Sequence, residues 1–147
     1  MTDGKIVYQG KSKSDKDFVI RYPTKDDVVV MCEYINTISN ERTFIRFQGE
    51  QLTLEEEEKF LRETLQKIEK QNSVLLLVFC DQVLIGVSGI DMRDKTEKHV
   101  GVLGISMAKE YRGEGIGKKL LEVLIEEGQK NIPQLLRKLA GKEARIF

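Results

Sequence analysis

Apolar residues recur along this chain in two rhythms, one helical and one extended. Val28, Met31, Ile35 and Ile38 are spaced by 3, 4 and 3 residues, which puts them on one face of a helix. Thr24 stands where that helix begins, and Asp27 completes a capping-box-like start. The signature returns at Thr53 and Glu56, ahead of a helix to about Gln71 whose Phe60, Leu61, Leu65 and Ile68 face inward. Glu55–Lys59 and Glu63–Lys67 support it as i,i+4 pairs, and the acidic run Glu55–Glu58 complements the helix dipole. Ile116, Leu120, Leu121 and Leu124 predict a third helix from about Gly115 to Lys130, with Gly128 fraying its end.

The extended segments read as strands. Phe18–Tyr22 is stopped by Pro23, which cannot donate to a ladder. Val74–Cys80 is a buried strand, Val83–Met92 a second one loosened by Gly86 and Gly89, and Lys98–Met107 a third. Asp81-Gln82 predicts a tight turn, although it lacks the glycine that hairpins prefer. Ser39–Leu52 is expected to be a connecting loop, unusually apolar at Phe44, Ile45 and Phe47. Residues Met1–Asp17 are polar and lysine-rich, a mobile arm or a weak edge element. Beyond Asn131 come Pro133 and a short basic helix-like piece. The order strand, helix, helix, three strands, helix predicts an α+β (mixed α/β) fold, with one domain over residues 18–147 behind the polar arm 1–17.

Composition narrows the function classes. A chain of 147 residues suits one core, and 40% hydrophobic with 33% charged residues describes a globular domain. Lysine plus arginine number 24, as do aspartate plus glutamate, so no global field favours nucleic acid or an anionic membrane as a partner. Cys32 and Cys80 lie in apolar stretches without metal-like spacing and read as buried reduced thiols. With His99 the single histidine, no metal is expected. The N-terminus lacks the apolar run of a signal peptide, and Val74–Cys80 is too short to span a bilayer, so the expected location is cytoplasmic.

Candidate chemistry centres on three alternate glycines that open a helix directly after a strand. Gly113, Gly115 and Gly117 let the backbone reach unusual φ angles and approach a ligand. The first N–H groups of a helix have no internal partner and carry partial positive charge, so the loop is an anion cradle. Lys118 and Lys119 in the first turn, and Arg112 before it, fit a phosphate ligand. A P-loop needs four residues between its first glycine and Gly-Lys, and only three separate Gly113 from Gly117. A dinucleotide fingerprint needs its third glycine where Lys118 stands.

The stretch from Leu103 to Leu121, with Arg112, Gly115 and Gly117 in an Arg/Gln-x-x-Gly-x-Gly/Ala pattern, resembles the central motif of the GNAT superfamily of acetyl-CoA-dependent N-acetyltransferases. The resemblance implies a central, mostly antiparallel twisted sheet flanked by helices. It also implies acetyl-CoA as the donor, with its acetyl group moved to a primary amine of a small molecule or peptide by direct attack. Arg112, Gly113, Glu114, Gly115, Ile116 and Gly117, with Lys118, would hold the pyrophosphate. Ile105, Ser106 and Met107 would bond the pantetheine arm like an added strand, one N–H polarising the thioester carbonyl.

Two departures stand out. Relatives often carry a glutamate near the position of Val102, so Glu97 and His99 become the candidate bases. Leu135–Gly141 resembles the end of a later family helix, but no strand is expected before it, and Leu136 sits where a thiolate-protonating tyrosine is expected. The C-terminal part is therefore expected to be atypical or truncated. Tyr111 reads as a packing residue rather than a substitute acid. Phe44, Phe47 and Glu50 are candidate acceptor contacts, with simple packing of the loop as the alternative. A non-catalytic coenzyme-binding module and a structural or interaction domain remain as competing functions, and an unfilled sheet edge leaves a homodimer open.

Overall fold

Both capping boxes form. In this computed structural model, which describes residues 4–41, 53–93, 100–132 and 145–146, the Thr24 hydroxyl accepts the Asp26 N–H at 3.2 Å and the Asp27 carboxylate accepts the Thr24 N–H at 2.7 Å. A single 3-10 turn, Lys25–Asp27, leads into α1, Val28–Glu41. The helix thus includes Ser39, Asn40 and Glu41, which the sequence pattern assigned to the loop. Losing the apolar stripe does not end the backbone ladder when neither glycine nor proline follows. The Thr53 hydroxyl accepts the Glu56 N–H at 3.1 Å, and Glu56 accepts the Thr53 N–H at 2.9 Å, opening α2, Leu54–Glu69. The far end of α2 closes through Gln71 in a left-handed conformation, φ 61°, with Gln71 N–H on the Ile68 carbonyl and Asn72 N–H on the Lys67 carbonyl.

The sheet runs in sequence order: β1 Ile6–Lys11, β2 Asp17–Arg21, β3 Ser73–Cys80, β4 Val83–Arg93, β5 Val100–Met107 and β6 Arg145–Ile146. Neighbours are antiparallel from β1 to β5, and β6 lies parallel to β5. β1 comes from the lysine-rich first segment and pairs Tyr8 with Ile20 and Gly10 with Phe18. Asp81 and Gln82 both take positive φ, 51° and 67°, making the tight turn between β3 and β4 without glycine. β6 follows the helix-like stretch Leu135–Gly141 rather than preceding it. Leu135–Gly141, including Leu136, lies outside the described residues.

Val74 through Val78 are all buried, so β3 is covered on both faces. The two layers are read directly from consecutive residues of β5. The place of a Cβ on Gly117, in helix α3 (Ile116–Asn131), lies 3.8 Å from the Met107 side chain. The Ser106 hydroxyl, one residue earlier, meets the Tyr34 hydroxyl of α1 at 2.9 Å. Successive strand residues point to opposite faces, so α3 covers one face and α1 with α2 the other. Ile116, Leu120 and Leu124 are fully buried, as the stripe predicts, and Leu121 packs beside them partly buried.

Gly128 does not fray α3. It is buried, and its carbonyl accepts the Ile132 N–H at 2.9 Å. The last turn is tied down by a buried cluster in which the Tyr22 hydroxyl donates to Glu127 at 2.9 Å and the Asn131 amide donates to the Tyr22 hydroxyl and the Glu127 carbonyl. Burial first, and then the Glu127 carboxylate, push the Tyr22 hydroxyl well above the usual tyrosine range. Cys32 and Cys80 are both buried and form no disulfide. Among the described residues no helix is long and apolar enough to cross a membrane.

Candidate coenzyme site

The glycine loop follows β5 through a 3-10 turn, Lys109–Tyr111. Arg112 at φ −74°, ψ 145° and Gly113 at φ 81° then form the centre of a type II turn, whose second central residue requires positive φ. Gly115 is the N-cap of α3 at φ 82°, ψ −4°, and among the described residues no side chain caps the helix there. The ladder of α3 begins with the Lys119 N–H on the Gly115 carbonyl at 3.3 Å. The N–H groups of Ile116, Gly117 and Lys118 come before it and have no intrahelical acceptor. This is the arrangement an anion needs: a helix start whose donors are left open and whose flanking glycines bring the backbone to the surface. Among the described residues, a Cβ on Gly113 would meet nothing within 4 Å.

Arg112 sits differently from the phosphate fork expected of it. Its Nε and Nη2 donate to the Met107 carbonyl at 3.2 and 3.1 Å, fastening the loop to the end of β5. Glu114 is held by Lys13 and Ser14. Its carboxylate accepts the Ser14 N–H at 3.0 Å and the Ser14 hydroxyl at 2.8 Å, and its carbonyl accepts the Lys13 N–H at 2.9 Å. The Ser14 hydroxyl, its N–H and then Ser12 hold the Glu114 carboxyl below the ordinary carboxylate range.

Ile105, Ser106 and Met107 pair with Ser88, Val87 and Gly86 of β4. On the other edge, β6 pairs only with Val102 and Leu103. Among the described residues, the outer edge of β5 from Gly104 to Met107 has no strand neighbour and leads straight to the glycine loop. These two features together, an uncapped helix start and an open strand edge feeding it, match a ligand with an anionic half and an amide-bearing arm.

A family model described as the acetyltransferase (GNAT) family matches residues 35–143. The chain belongs to the GNAT family. Among solved structures, a GNAT-family acetyltransferase from Streptococcus pneumoniae is 30% identical, with a TM-score of 0.68 over 78% of this chain and 68% of that one. A ribosomal-protein-alanine N-acetyltransferase from Brucella melitensis is 22% identical, with a TM-score of 0.62 over 77% and 68%. A ribosomal L7/L12 alpha-N-protein acetyltransferase in complex with coenzyme A is 16% identical, with a TM-score of 0.65 over 84% and 67%. No curated protein matches the sequence. The fold is thus the GNAT α+β fold, and acetyl-CoA is the acetyl donor of this acyltransferase family.

The GNAT sheet places Ile105, Ser106 and Met107 at the end of β5, directly before the loop Arg112–Lys118. Glu97 and His99, the candidate bases, and Phe44, Phe47 and Glu50, the candidate acceptor contacts, lie outside the described residues. Two contributions went unread in the sequence. Tyr34 is buried in α1 and reaches Ser106 across the sheet face, a contact between positions 72 apart. Ser14 reaches Glu114 across 100 positions. A groove of about 500 Å³ between the 3-10 turn at Lys25 and α2 shares no residue with the loop and presents mixed charge from Lys25, Asp26, Glu58 and Arg62.

Proposed function

We propose that the chain is an N-acetyltransferase that moves the acetyl group of acetyl-CoA to a primary amine by direct attack, in the cytoplasm. The observation that carries this reading is the uncapped start of α3 behind the left-handed Gly113 and Gly115, continuous with the open edge of β5. Acetyl-CoA supplies an activated thioester whose carbonyl carbon an amine nitrogen can attack. The N–H groups of Ile116, Gly117 and Lys118 bind the diphosphate, and Arg112 keeps the loop on β5 so that they converge. Backbone groups of Ile105–Met107 hold the pantetheine arm as an added strand, and one N–H there polarises the thioester carbonyl.

The Tyr34 hydroxyl answers the absence of a tyrosine at Leu136. It lies 2.9 Å from the Ser106 hydroxyl, on the face that α1 shares with β5. This pair holds a transferable proton beside the strand that carries the thioester, where the departing sulfur needs one. A lysine-like amine is neutral in only roughly one molecule in 2,500 at pH 7, so a base must also act, and Glu97 and His99 are its candidates.

The test combines calorimetry with acetyl-CoA and thiol release with a panel of peptides bearing free α-amino groups, lysine, polyamines and small amines. Binding of acetyl-CoA with amine-dependent thiol release and a mass gain on the acceptor is expected. Binding with no transfer to any amine would identify a coenzyme-binding module instead, and absence of binding would remove the site altogether.

A further inference from the structure

The β1–β2 turn, Ser12–Lys16, lies outside the residues that match the family model, yet it is built onto the glycine loop. The turn is internally fixed: Asp15 N–H donates to the Ser12 carbonyl and Lys16 N–H to the Ser12 hydroxyl, with Asp15 at φ 66°. From this frame the Lys13 N–H takes the Glu114 carbonyl and Ser14 takes the Glu114 carboxylate through two donors. A trans peptide points its C=O and N–H in opposite directions. Holding the Glu114 carbonyl on Lys13 therefore turns the Gly115 N–H the other way.

Lys13 itself lies along the helix start. Its Cε and Cγ are 3.6 and 3.7 Å from the place a Cβ on Gly115 would take. Three nearby lysines are engaged: Lys11 pairs with Asp15 and Asp17, Lys16 lies over the Tyr111 ring, and Lys119 pairs with Glu122 over the Tyr8 ring. Among the described residues Lys13 takes no carboxylate.

We propose that the β1–β2 turn is part of the coenzyme site, with Lys13 as a cationic ligand of the coenzyme diphosphate and Ser14 as the positioning residue that sets it through Glu114. This rests on the acetyl-CoA reading of the α3 start and adds to it a contact from the opposite end of the chain. A mobile lysine at this edge would lose rotamer entropy on binding, and the three hydrogen bonds to Glu114 place its backbone in advance.

The experiment titrates coenzyme A, 3′-dephospho-coenzyme A and pantetheine into the full chain, its Lys13→Met, Lys13→Arg and Ser14→Ala variants, and a Ser14→Thr control. Lys13→Met is expected to weaken coenzyme A by about tenfold, the loss of one charge-assisted hydrogen bond. The same loss should appear with the 3′-dephospho form, none with pantetheine, and Lys13→Arg should restore most of the affinity. Ser14→Ala should weaken coenzyme A several-fold, Ser14→Thr should retain it, and adding Lys13→Met to Ser14→Ala should cost less than it does alone. Equal affinity of the wild type and Lys13→Met for coenzyme A overturns the inference, as does a loss confined to the 3′-phosphorylated ligand or one seen equally with pantetheine. Failure of the unaltered chain to bind coenzyme A would instead defeat the acetyl-CoA reading itself.

Discussion

Gly115 shows how little freedom the loop has. Its φ of 82° is strained for any residue with a Cβ, and a Cβ there would touch the Lys13 stem at 3.6–3.7 Å, so the larger branches of a valine would press on it. Gly115→Val should therefore shift the open N–H groups and lower acetyl-CoA affinity by tenfold or more, at a cost in stability of about 1–2 kcal/mol. Calorimetry alongside thermal melting separates the two effects. Tyr34 offers the complementary measurement. Removing its hydroxyl in Tyr34→Phe breaks the contact with the Ser106 hydroxyl without emptying the buried space. A fall in kcat of about 10²-fold is expected, with little change in KM for acetyl-CoA. A KM effect with unchanged kcat would make the pair a scaffold contact.

Among the elements, those with local signals were legible and those held by distant contacts were not. Thr24 with Asp27 and Thr53 with Glu56 announce α1 and α2 because a capping box is contained within four residues. The apolar run of β3 announces a strand buried on both faces. β1 carries no such signal, because an edge strand buries little, and its pairing is fixed by β2. Gly128 misled because the turn it sits in is tied down by Tyr22, 105 positions away along the chain, bonding Glu127. The β3–β4 turn places Asp81 and Gln82 in left-handed conformations. Gln82→Gly suits that geometry and should stabilise the protein by about 1 kcal/mol, raising its melting temperature by about 2–4 °C.

Asp27 joins β2 to the start of α1. Burial alone would raise its carboxyl, but the Arg21 guanidinium at 2.8 and 2.9 Å and the Thr24 N–H overcome that and hold it below the ordinary carboxylate range. A carboxyl depressed in the folded state contributes stability above its unfolded value, and that stability is lost as pH falls through the folded value. The melting temperature should thus drop on acidification below about pH 4. Asp27→Asn should start lower at neutral pH and lose less over the same range. Equal acid sensitivity of the two proteins would count against this linkage.

For the molecule as a whole, the glycine motif marked the loop at the start of α3 in the sequence, since Arg112, Gly115 and Gly117 fall within six residues. The fastening of that motif was hidden, because Ser14 and Glu114 are joined only after the sheet has brought the first hairpin beside α3. The same separation hid Tyr34 from Ser106. A motif scan can find donors placed along one loop, but not what turns them in the right direction.

The captive carboxylate of Glu114 has a further consequence. It sits two residues ahead of α3, within reach of the helix's own unsatisfied amides once released from Ser14. A chain deprived of its first hairpin would carry the full GNAT motif together with an internal anion able to self-cap the helix, and such a protein would shut out its coenzyme with its own side chain.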